Sequence, residues 1–169
     1  MRRHDSERRE QERLARWWTD DPWPPFQEWP GLARPGAALT DVDACAGEVA
    51  SAVVRDGRAR CLALVQVTRG ADAPAALSWL GMTNHMTAQE LSAVLRSWED
   101  RFGLRAVGFG HKSLHVSVAA RPADIRQAHI LTAEHYLACP DVFYVDPDLD
   151  WSTYHEDLMK RREWWFWWD

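Results

Sequence analysis

The sequence predicts an α+β fold, a ferredoxin-like βαββαβ sheet with helices on one face and Trp/Pro-rich straps at both ends. Three observations carry this. The stretch from Thr87 to Asp141 reads helix, hairpin, helix. The run Cys61–Thr68 (CLALVQVT) is short, apolar and rich in β-branched residues, as a central strand covered on both faces would be. A closing strand is offered twice, by Val142–Val145 and by the tryptophan-rich Glu163–Trp168.

Taken in order, residues 1–16 form a highly charged arm and residues 17–169 a single domain. Up to Asp20 the chain mixes six arginines with five acids, and Leu14, Trp17 and Trp18 are the residues able to anchor a helix there. From Asp21 to Gly36 five prolines interleave with Trp23, Phe26, Trp29 and Leu32. Proline fixes φ and removes a donor, so this stretch predicts an extended strap laid down by its aromatics. Asp41–Val54 reads as a helix capped by Thr40 or Asp41, with Val42, Cys45, Val49 and Ala52 on one side. Asp56-Gly57 is a turn. After the 61–68 run, Arg69-Gly70-Ala71-Asp72 forms a loop whose Asp72 is placed to cap a short helix through Trp79.

Thr87 and Glu90 have capping-box spacing. Leu91, Val94, Leu95, Trp98 and Phe102 then recur at helical period, and Gly103 supplies the stop. In the hairpin, Leu114, Val116, Val118 and Ala120 point one way and Ser113, His115, Ser117 and Ala119 the other. Pro122 suits a first helical position. In Trp164-Trp165-Phe166-Trp167-Trp168, alternation separates Trp165 and Trp167 from Trp164, Phe166 and Trp168.

Composition excludes some classes. The net charge is −5, the wrong sign for a dedicated nucleic-acid binder. No window reaches membrane-spanning length and the N-terminus lacks an apolar signal region. Cys45, Cys61 and Cys139 are an odd set without short-range pairing, as in a reducing compartment, so the expectation is a cytoplasmic protein. From Pro140 to Asp169 eight acids face three basic residues, so this segment carries the whole net charge. It is a solvated surface or faces a basic partner.

Several of these motifs together resemble domain-of-unknown-function family 4253, common in actinobacteria. They are AVLRSWEDRFG (93–103), SLHVSVAARP (113–122), AEHYLACPD (133–141) and FWWD (166–169), with WPGL (29–32) and RGAD (69–72). The chain departs from the family pattern at the hairpin turn, where His111 and Lys112 stand for an aromatic and an acid, and at Val142, which stands for asparagine. The resemblance covers the chain from about Trp17 onward and implies no activity, cofactor or catalytic residue.

The candidate catalytic set is Glu134, His135, Cys139 and Asp141. His135 and Cys139, four apart, lie about 40° from each other on a helix wheel. They could ligate zinc with His115, His85 or His111, or pair as an imidazole and a thiolate. The alternative is a buried cysteine beside a hydrogen-bonded histidine, with Glu134 a surface or second-layer residue opposite Ile125 and His111 and His115 exposed. The candidate binding set is Arg69, Asp72, Trp98, Arg101, Trp165 and Trp167. Arg101 could grip a carboxylate bidentately, and the tryptophans are either a clasp on the domain or a recognition surface. Three functions follow. The first is a non-enzymatic protein-interaction or accessory (immunity-like) module without cofactor, its partner another protein. The second is a metal-dependent or thiol enzyme on the His135/Cys139 helix, with zinc as the metal. The third is peptide or small-ligand binding by the aromatic C-terminus.

Overall fold

A computed structural model describes the chain except residues 1–2, 21–25, 39–40 and 146–150. The helices are α1 (Arg3–Asp20), α2 (Val42–Arg55), α3 (Ala73–Ala76), α4 (Ala88–Phe102), α5 (Ile125–Ala138), α6 (Asp141–Val145) and α7 (Trp151–Lys160). The strands are β1 (Ala37–Ala38), β2 (Leu104–Phe109), β3 (Ser113–Val118), β4 (Ala120–Arg121) and β5 (Glu163–Trp167). The molecule is a mixed α+β domain built on an antiparallel three-stranded sheet in the order β2-β3-β5, with β1 and β4 paired beside it.

The hub is α4. Thr87 accepts from the Glu90 backbone N–H while Glu90 accepts from that of Thr87, closing the capping box. Gly103 ends the helix at φ 63°, where a Cβ would also press on Ala119 and Val42 at 3.1 Å. The inward faces of β3 (Leu114, Val116, Val118) and β5 (Trp164, Phe166) join Leu91, Leu95 and Trp98 of α4 and Leu131 of α5 in one core. Each large side chain buried there contributes about 1.5–3 kcal/mol. Trp98 lies flat on Phe166 at 5.4 Å and meets Trp164 edge-on at 5.8 Å, so helix and terminal strand are joined through aromatic rings. On the His115 side of the sheet α2 packs against β2 and β3, with the Cys45 thiol donating to the Val118 carbonyl.

Leu14 and Trp18 anchor α1, which packs on α4 and α5. From Phe26 to Gly36 the chain has no regular structure, and Phe26 and Trp29 pack against the core. The first half of the expected proline-rich strap, with Trp23, lies outside the described residues.

Three expectations change. The run 61–68 forms no strand; it is unpaired among the described residues, and its ends are pinned instead by Arg58 on Glu163 and Arg69 on Asp100. It occupies the place in the chain of the first strand of a ferredoxin-like order. Val142–Val145 lies in α6, leaving Glu163–Trp167 as the closing strand. Helix α5 starts not at Pro122 but after Asp124, whose carboxylate accepts from the Gln127 N–H at 2.8 Å.

Candidate functional site

Two polar centres lie on opposite faces of β3 and β5, each built around an arginine and a glutamate. The inner one joins α4, α5 and the N-terminal strap. Arg101 grips Glu134 at 2.6 and 2.8 Å, both side chains being almost wholly buried. The other guanidinium N–H groups go to the Ala33 carbonyl at 2.9 Å and to Ser97 Oγ at 2.9 and 3.1 Å, so all five donors are used. Glu134 also accepts from Trp98 Nε1 at 2.8 Å and from the Ala33 N–H at 2.7 Å.

Glu134 is therefore inside, and Ile125, 45% exposed, is outside. This reverses the wheel reading, because α5 is buried around most of its circumference and its one acid is held by Arg101. The bidentate grip expected of Arg101 is present, with Glu134 as the carboxylate.

His135 follows directly. It is fully buried beside Trp98, Trp164 and Phe166 at 4.7, 4.5 and 5.0 Å, and its Nδ1 lies 2.8 Å from the Tyr154 hydroxyl. Its Nε2 is buried without a hydrogen-bond partner, and the rings of Trp164 and Phe166 stand edge-to-face with the imidazole. Burial, then the charge of Arg101, holds the imidazole neutral, well below the usual histidine range. Cys139, one turn on, donates its thiol to the Trp167 carbonyl at 2.9 Å, and burial pushes that thiol far up. Asp141 turns the other way, accepting from the Asp169 N–H at 2.9 Å and pairing with His85 at 2.8 Å, which tethers the C-terminus. The four candidates are thus split among three environments. Among the described residues no three His, Cys, Asp or Glu side chains converge as a metal would require.

Arg69 and Asp72 are engaged on α4. Arg69 reaches Asp100 at 2.6 Å and Glu99 at 3.6 Å, Asp72 pairs with Arg96, and the Ala71 N–H donates to Glu99 at 3.2 Å. The RGAD loop is thereby fastened to the hub, and Asp72 spends its carboxylate on Arg96 rather than on a helix cap.

The outer centre sits in a groove of about 930 Å³ across β3 and β5, bounded by Val49 of α2 and by Asp157, Leu158 and Arg161 of α7 and its end. Arg58 holds Glu163 at 2.5 and 3.3 Å and Asp56 at 3.2 Å. His115 Nδ1 lies 2.8 Å from Glu163 and 3.3 Å from Arg58. These partners and α2 cover His115, which is 7% exposed rather than on the open surface the hairpin suggested. Trp165 and Trp167 line the same groove, and Trp165 is 47% exposed while Trp164, Phe166 and Trp168 are buried. The grouping of His115, Glu163 and the two tryptophans was accessible from alternation alone, since they share one face of paired strands. Arg58, beyond a turn and an unpaired segment, gave no such signal.

An α+β domain with a sealed ion pair and an open aromatic groove defines the class. The chain belongs to the family described as domain of unknown function (DUF4253), whose model matches residues 61–169. No curated protein and no solved structure matches it. No helix among the described residues is long and apolar enough to cross a membrane.

Proposed function

We propose that the protein is a non-enzymatic interaction module that takes an extended peptide segment of its partner along β5. The observation that carries the reading is Trp165, half exposed on the floor of a groove while the neighbours in its strand are buried. A large aromatic left in an open concave site is the residue type that dominates interface energetics. Two further features support a peptide. β5 is an end strand of its sheet, and beyond the Trp167 carbonyl, which holds the Cys139 thiol, its edge at Glu163 and Trp165 is where an added strand would pair. The groove also offers Arg58 and Arg161 beside Asp157 and Glu163, charges of both signs suited to a mixed-sequence chain.

The test is selection of a displayed random-peptide library on the wild-type chain, with binding of selected peptides followed by tryptophan fluorescence. Trp165→Ala is expected to weaken their binding about tenfold or more, the loss of roughly 1.4 kcal/mol or more typical of an aromatic anchor. A library that yields no binder, or binders indifferent to Trp165→Ala, overturns the reading.

A further inference from the structure

Residues 59–68 carry a β-strand sequence and nothing to pair it. Among the described residues none of the ten makes a hydrogen bond, through backbone or side chain. Leu62 and Leu64 are 93% and 96% exposed, whereas Val65 and Val67 are half-buried against the domain. From Leu64 to Thr68 exposure alternates as in a strand, one face leaning on the protein and the other open to solvent, while Arg60 to Ala63 are exposed throughout. Unpaired N–H and C=O groups beside two free leucines are a template for another strand.

We infer that this segment pairs with the same segment of a second copy, giving a two-fold dimer. The sequence is complementary to itself in the antiparallel register centred on Ala63. There Leu62 of each copy faces Leu64 of the other, gathering four leucines on one side. Cys61 faces Val65, Arg60 faces Gln66, and no like charges stand opposite each other. The smallest side chain in that run, alanine, falls on the axis, where the two copies approach most closely. An isologous contact of this kind is satisfied by one partner. None of the paired residues lines the groove at β5.

The test is sedimentation of the full chain over a concentration series. The wild type is expected to reach twice its 19.5 kDa mass. Leu64→Lys is expected to return it to 19.5 kDa with an unchanged near-ultraviolet circular dichroism spectrum. In a Cys61→Ser background, Ala63→Cys places two thiols across the axis, within disulfide range for facing residues of antiparallel strands, and should crosslink the dimer quantitatively on oxidation. Any of four results overturns the proposal. These are a monomer at every concentration, a dimer that survives Leu64→Lys, a dimer that Ala63→Cys does not crosslink, and loss of the native spectrum in Leu64→Lys, which would place the segment in the core. Trp165→Ala should leave the mass unchanged, which separates this interface from the groove.

Discussion

The two arginine–glutamate centres differ less in composition than in access to water. Each has a bidentate arginine, a glutamate, a histidine and tryptophan rings. In the inner centre Arg101 and Glu134 are almost fully enclosed, and every donor of the guanidinium is used. In the outer centre Arg58 and Glu163 keep 35% and 25% of their side-chain surface exposed. An ion pair in water contributes little, because hydration competes with it and salt screens it. A sealed pair cannot be broken cheaply, because the partner left behind is a bare charge in an apolar medium. The same residue types therefore serve as a rivet on one face of the sheet and as an adjustable surface on the other.

The largest expected effect is at the rivet. Glu134→Gln leaves Arg101 without its counter-charge and should cost about 3–5 kcal/mol, read as a lowered urea midpoint at unchanged slope. A double replacement, Arg101→Met with Glu134→Leu, would restore stability if the pair were the whole structure. It is not, because the Ala33 N–H and C=O and the Trp98 N–H also end there. Each polar group orphaned in the core costs about 1–3 kcal/mol, so the double variant should remain destabilised. A double variant as stable as the wild type would mean that the N-terminal strap is not held at this centre.

Next comes the histidine of the inner centre. Burial depresses the folded-state pKa of His135, so the folded protein resists a proton that the unfolded chain accepts near pH 6.5. Its neutral form is accommodated fully above that pH. As pH falls below about 6.5 the unfolded state gains by up to about 1.4 kcal/mol per pH unit until the folded-state pKa is passed. Urea unfolding at pH 7.5 and 5 should show this acid loss in the wild type, with one proton less in the dependence for His135→Leu. An identical dependence in both proteins would place the proton uptake elsewhere.

Legibility in the sequence follows the range of the interaction. The Thr87/Glu90 box, the Gly103 stop and the two faces of the closing strand depend on neighbours a few residues away, and periodicity finds them. The burial of Glu134 depends on Arg101, 33 residues upstream, and on a backbone N–H 101 residues away, and no helix wheel contains either. The same limit explains His115, whose cover comes from α2, Arg58 and Glu163. Residues 61–68 show the complementary limit. Their hydropathy predicts a central strand, but a strand needs an adjacent edge, and the structure gives them none among the described residues, which composition cannot foresee.

The smallest effect in stability is at the groove, and it is the one that tests the contrast most directly. Glu163→Gln removes the charge that Arg58 and His115 share while keeping the size and the acceptor oxygen. Because Arg58 keeps 35% of its side-chain surface exposed, it can rehydrate when stranded, and the loss should stay within about 1 kcal/mol and shrink further in high salt. The aromatic rows of β5 are unaffected, so the fold and the near-ultraviolet spectrum should persist. Peptide binding, in contrast, should change, since the substitution frees Arg58 to meet an incoming carboxylate and biases selected sequences toward acidic residues. A stability loss of the size expected for Glu134→Gln would mean that the outer centre is as sealed as the inner one. In that case the groove would be a packing seam, and Trp165 would owe its exposure to something other than a ligand.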